Sequence, residues 1–230
     1  MKIKIIVIML CVFAFSQCIN SNTGKINDEK CKQMVLKTQE MFNNYYMIDN
    51  EQSYIRLDSA LAMIDSMFLC NCNVLKYNLV ANKIVILCAK KDYSAALEFT
   101  KGINDSLFAA PYLKYVFIKR IEAIEAQERG DSVTRNKLIG DIVVDLKNYL
   151  SIPSPEIDSV LALKNVKDIY RYEKHMAIVQ YYYYRAQIEG TDKVFNELDS
   201  LRQSINGNQE FFDNFLKGFI NEDFIHFSGL

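Results

Sequence analysis

Tryptophan is absent from the 230 residues, and proline and glycine are scarce, at three and eight. An all-β domain spends both freely on turns, so the scarcity argues against sandwiches and barrels and in favour of helices. Excess charge is missing too: 27 Lys and Arg against 28 Asp and Glu leave a formal net charge of −1. That removes the electrostatic basis for binding nucleic acid, or for holding an anionic membrane surface by charge alone. Histidine occurs only at His175 and His226, far apart and without a matching constellation. The chain has no Gly-rich phosphate loop, no nucleophile elbow and no His-Glu-x-x-His string. These gaps lead to the expectation of a protein that is not an enzyme and uses no cofactor. No apolar run reaches the length that spans a bilayer.

What is there begins at the N-terminus. Met1 to Lys4 carries two lysines, Ile5 to Phe15 is apolar and uncharged, and the polar string "NSNTGKINDEK" follows abruptly. A basic start and a short apolar core make a secretory signal. Two cleavages compete. Ala14 and Ser16 are small residues at alternate positions, which suits cleavage after Ser16. Against this, "FSQC" resembles the lipobox of bacterial lipoproteins in the loose form found in the Bacteroidota, with Gln17 where a small residue is usual. That resemblance implies cleavage before Cys18 and acylation of Cys18. Several acyl chains would then anchor the protein to a membrane of the bacterial cell envelope, the outer membrane being the expected one. The chain then divides into a signal at 1–17, a polar tether at 18–30 and a helical domain at 31–230. Lipoproteins of this kind that reach the cell surface often carry acids just after the cysteine. "CINSNTGK" has none, which leans toward the periplasmic face.

From Asp28 onward the apolar residues recur at helical spacing. The first helix is predicted from Asp28 to Met47. In the second, capped by Ser53, Tyr54, Leu57, Leu61, Ile64 and Phe68 form one stripe. "LKYNLVANKIVILCAKK" is apolar on several sides, as a buried helix would be. "DYSAALEFTKGI" has Asp92 as cap and Gly102 at its end. Pro111 opens a helix with the stripe Leu113, Phe117, Ile121 and Ile124, and "ERGDS" breaks it. The next stripe is Leu138, Ile142, Leu146 and Tyr149. Ser154, Pro155 and Glu156 start another helix, which runs on to "QIEGTD"; Val194, Leu198, Leu201 and Ile205 mark the one after it.

Three turns look alike: "AKKDYSAALEF", "QERGDSVTRNKLI" and "IEGTDKVFNEL". Helical hairpins recurring along a chain are the mark of an α-solenoid. "KDYSAALEF" resembles the start of the second helix of a tetratricopeptide repeat, and "SYIRLDSALAMID" is similar around Ala60 and Leu61. The resemblance implies an all-α, right-handed superhelix of hairpins in which Ala60 and Ala96 let helices approach closely. In the later turns Arg135 and Phe195 fall where that alanine belongs, and the family's tryptophan and glycine are missing. An irregular helical bundle accounts for the same stripes. In the family, ligands lie along the concave face made by first helices, and that register places Arg120, Gln127, Gln180 and Tyr184 there. They are the candidate residues for binding a protein or peptide.

The run Tyr181–Tyr184 bears on the same question. Successive helical residues turn by about 100°, so these rings point to every side of a helix. Some must pack in the core, and at least one is expected to face outward or line a groove. Of the cysteines left after processing, Cys31, Cys70, Cys72 and Cys88 are even in number, and a bridge between Cys70 and Cys88 on adjacent helices is a candidate. "LCNCN" lacks the second ligand pair that zinc would need. Glu122 and Glu125 beside Arg129 read as a solvated helix face. Phe211, Phe212, Phe215, Phe219, Phe224 and Phe227 crowd the tail, either closing the end of the fold or docking a partner. The leading expectation is an envelope-anchored, peptide- or protein-binding scaffold. The alternative is a soluble, exported helical protein that binds a small molecule or glycan.

Overall fold

The computed structural model describes residues 28–47, 52–69, 72, 76–108, 110–153, 157–159, 174–204 and 217–221. All regular structure among them is helical. The chain divides into two compact units, Met1–Ala109 and Ala110–Leu230. The first holds α1 (Asp28–Met47), α2 (Gln52–Leu69), α3 (Lys76–Ala89), α4 (Tyr93–Gly102) and a short 3-10 turn, Asp105–Leu107. The second holds α5 (Leu113–Glu128), α6 (Ser132–Leu150), α7 (His175–Glu189), α8 (Thr191–Ser204) and the single turn α9 (Lys217–Ile220). No described helix is long and apolar enough to cross a membrane.

In the first unit α1 packs on α2 and α3, and α3 packs on α4. Leu57, Ala60, Ile64 and Met67 from α2 meet Val35 from α1 and Leu79, Val85 and Ile86 from α3. Ala60 and Ala96 are fully buried, so neither keeps a neighbouring helix at a distance. α2 starts at Gln52, which places Ser53 inside the first turn and not at the cap expected of it.

The connections explain why these helices stop where they do. After α3, Lys91 donates its N–H to the carbonyl of Cys88 and Asp92 donates to that of Leu87. After α5, Gly130 donates to Gln127 and Asp131 to Ala126. Both are the paired bonds of a Schellman ending, which satisfies carbonyls the helix leaves open. The residue at the bend has a left-handed backbone in each, Lys91 at φ 59° and Gly130 at φ 75°. The aspartate that closes one helix then caps the next. Asp92 Oδ1 accepts from the Ala95 N–H, and Asp131 Oδ1 from the Thr134 N–H. The bond from Thr134 holds the Asp131 carboxyl below its ordinary pKa. The likeness between "AKKD" and "ERGD" is therefore a shared turn geometry.

The candidate bridge between Cys70 and Cys88 gives way to a different pair. Cys31 and Cys72 form a disulfide, with their Cα atoms 5.9 Å apart. Cys88 keeps its thiol, and Cys70 lies outside the described residues. Spacing along the chain favoured neighbouring helices, whereas the fold brings the start of α1 against the segment that follows α2. The bridge spans a sequence separation of 41 residues. Closing a loop of that length removes about 4 kcal/mol of unfolded-chain entropy. Reduction, or Cys31→Ser, should lower stability by about that amount in denaturant titrations, whereas Cys88→Ser should change it by under about 1 kcal/mol. Equal losses from the two variants would contradict the assignment.

Candidate functional site

The four residues expected on a concave binding face do not form one. Arg120, Gln180 and Tyr184 are buried, at 7%, 3% and 1% exposure. Gln127 is half-buried, and its side-chain oxygen accepts from Arg135 Nε at 3.1 Å. The reason is the position of α7, which packs against α6, α8 and α9. All four tyrosines of the run are consequently buried, which overturns the expectation that at least one faces out. Arg120 and Tyr184 do come together inside the unit. Burial pushes the Tyr184 hydroxyl up to about 12, and the nearby Arg120 guanidinium opposes that rise. Tyr112 and Tyr149 meet at a tilt nearby, with ring centres 4.5 Å apart. Burial raises Tyr112 well above the usual phenol range, and the neighbouring Tyr149 and Tyr184 add to the effect.

Two arginines that the sequence did not mark as site residues hold α7 in place. Arg135, four residues after the capping Asp131 as Ala96 is after Asp92, reaches two neighbours at once. Its Nε bonds Gln127, and its guanidinium donates to the carbonyl and the side-chain oxygen of Gln187 at 3.2 and 3.0 Å. It thereby ties α5, α6 and α7 together. Arg185 is paired with Glu189 on its own helix and Glu197 on α8, through four bonds of 2.6 to 2.9 Å. Its guanidinium also lies 5.4 Å from the centre of the Tyr181 ring. The Arg185–Glu189 spacing is readable along a helix, whereas the Glu197 contact exists only once the α7–α8 hairpin has formed.

An accessible concavity lies in the first unit. A groove of about 590 Å³ is lined by Leu61 and Asp65 of α2, Lys83 and Leu87 of α3, and Ala95, Glu98, Phe99 and Gly102 of α4, with Ile103. Lys83 Nζ pairs with Asp65 at 2.5 Å and sits 4.5 Å from the Phe99 ring centre. Phe68 meets Phe99 edge-on at 6.0 Å. The groove thus offers apolar walls with charged groups at fixed places, and none of the candidate binding residues lines it. The "SYIRLDSALAMID" and "KDYSAALEF" stretches pointed toward this part of the chain.

Among the described residues no cluster of three or more His, Cys, Asp or Glu could hold a metal ion. His175 opens α7 and is half-buried. Glu125 pairs with Arg129 at 2.8 Å on an exposed stretch of α5, as expected of a solvated face. Cys18, His226 and the crowded phenylalanines, except for the backbone of Phe219 in α9, lie outside the described residues. No protein-family model, curated protein or solved structure matches the chain.

The Arg185 network makes stability depend on acid in a defined window. Bonds from Arg185 hold the Glu189 carboxyl at about 2, with Lys193 assisting and burial opposing. A pKa lowered by folding contributes stability that is complete above the unfolded value of 4.5 and is lost as pH falls toward 2. Glu189→Gln should therefore be less stable than the native chain at pH 7, with the gap closing between about pH 4.5 and 2. A gap that is constant with pH would contradict this coupling.

Proposed function

We propose that the protein is a non-catalytic binding module, held in a bacterial cell envelope by acyl chains on Cys18. It receives a segment of another protein or a peptide in the groove between α2, α3 and α4. Its hairpins are read as a degenerate tetratricopeptide-like right-handed superhelix. The groove carries the proposal: an open channel with apolar walls and preset charges suits an extended side chain-bearing segment, whereas a small molecule is more often enclosed. The buried tyrosine run of α7 shifts recognition away from the second unit. The Cys31–Cys72 bridge supports an oxidising compartment, because cytosolic thiols are kept reduced. The tether at 18–30 supports a domain held clear of a membrane.

Binding and anchoring are tested together in cells carrying a photo-crosslinking residue at Ala95, with Val133 as the control position. Val133 is on the second unit and 80% exposed. The expected result is a discrete crosslinked product from Ala95 alone, in the membrane fraction, on a chain whose intact mass begins at an acylated Cys18. An unmodified chain beginning at Gln17 in the soluble fraction would overturn the anchor. Equal crosslinking from both positions, or none, would overturn the groove.

A further inference from the structure

The charges around the groove are not balanced. Three ionisable side chains line it: Asp65, Lys83 and Glu98. Lys83 is committed twice, to Asp65 through an ion pair and to the face of Phe99 through a cation–π contact. Those contacts make Lys83 a poor receptor for an incoming anion, since a ligand carboxylate would have to displace Asp65 and then meet its repulsion. Glu98 is exposed, and its carboxylate has no ion pair or hydrogen bond among the described residues. Lys101, one turn further along α4, is not part of the lining. The formal charge of the lining is therefore −1, and it resides at Glu98.

The backbone adds to the same sign. Gly102 and Ile103 lie at the C-terminal end of α4 and border the groove. A helix presents the negative end of its dipole there, which favours a cation. Leu61, Leu87, Phe99 and Ile103 supply apolar surface alongside. An arginine or lysine side chain has matching parts: a methylene stem that packs on apolar walls and a charged head that reaches a carboxylate.

We infer that the groove selects a peptide segment by a basic side chain, with the head of that side chain at Glu98 and its stem along Leu61, Leu87 and Phe99. This rests on the groove being the binding site, as proposed above, and adds the chemistry of the occupant. It also gives the protein a selectivity that its near-neutral overall charge does not suggest.

The probes are three fluorescein-labelled pentapeptides that place arginine, citrulline or glutamate between two leucines. Citrulline keeps the shape of arginine and loses its charge. Fluorescence anisotropy on the purified mature protein is expected to rank arginine first, citrulline two- to fivefold weaker and glutamate weaker still. Glu98→Gln should bring the arginine peptide down to the citrulline level, and Glu98→Lys should make the glutamate peptide the tightest. Both variants change an exposed position, so their folding is checked simply by an unchanged circular dichroism melt. Equal binding of all three peptides, with competition by a groove-filling Ala95→Trp change, would overturn the basic-side-chain inference and leave the groove as the site. Binding that is indifferent to both Glu98 and Ala95 changes, or no binding of any peptide, would overturn both.

Discussion

A helix buried on every side can pair its polar tips only inside the protein, and α7 sets that constraint for the second unit. From Ala177 to Ala186 no residue of α7 is appreciably exposed, although the stretch includes Gln180, four tyrosines and Arg185. Burying rings of that size contributes several kcal/mol, but an orphaned hydroxyl or guanidinium inside would cost a comparable amount. Arg185 is answered by two carboxylates and two aromatic rings. Arg135 answers the far end of the same helix through Gln187. The helices around α7 are thus fixed by polar geometry as well as by apolar area.

That constraint makes the interiors of the two units differ although their turns are alike. In the first unit small residues do the work of close packing, with Ala60 and Ala96 fully buried. In the second, Arg135 occupies the corresponding place and spans to the neighbouring helices by hydrogen bonds. A long side chain with fixed donor directions substitutes for intimate contact. The left-handed residue and capping aspartate between α3 and α4, and again between α5 and α6, keep the hairpins alike despite these different interiors.

Much of the secondary structure was legible because it rests on local rules. Period and capping placed α1 from Asp28 to Met47, the Asp92 cap of α4 and the break at "ERGD". Ser53 does not cap α2 because Gln52 before it is already helical, and one capping residue carries little information by itself. The candidate site was not legible. Arg120, Gln127, Gln180 and Tyr184 follow from a repeat register that assumes an open face, and the packing of α6, α8 and α9 around α7 closes it. Likewise, four tyrosines in a row look impossible to bury together until a helix is surrounded. The disulfide partner of Cys31 could not be read from spacing, since bridges depend on where chain ends meet. The groove draws two residues from α2, two from α3 and four from α4, and no local pattern links Asp65, Lys83 and Glu98 across them.

The two units differ accordingly: the second holds a polar, aromatic interior, and the first presents a groove. The tyrosine run belongs to the core of the second unit. Mild nitration of the native protein with tetranitromethane, followed by peptide mass mapping, tests it most directly. Tyr77 and Tyr115, at 51% and 61% exposure, serve as internal references. The expected result is rapid modification of those two, with Tyr181, Tyr182, Tyr183 and Tyr184 protected until denaturant unfolds the chain. Nitration of any residue in the run at the rate of Tyr115 in the native protein would contradict the account.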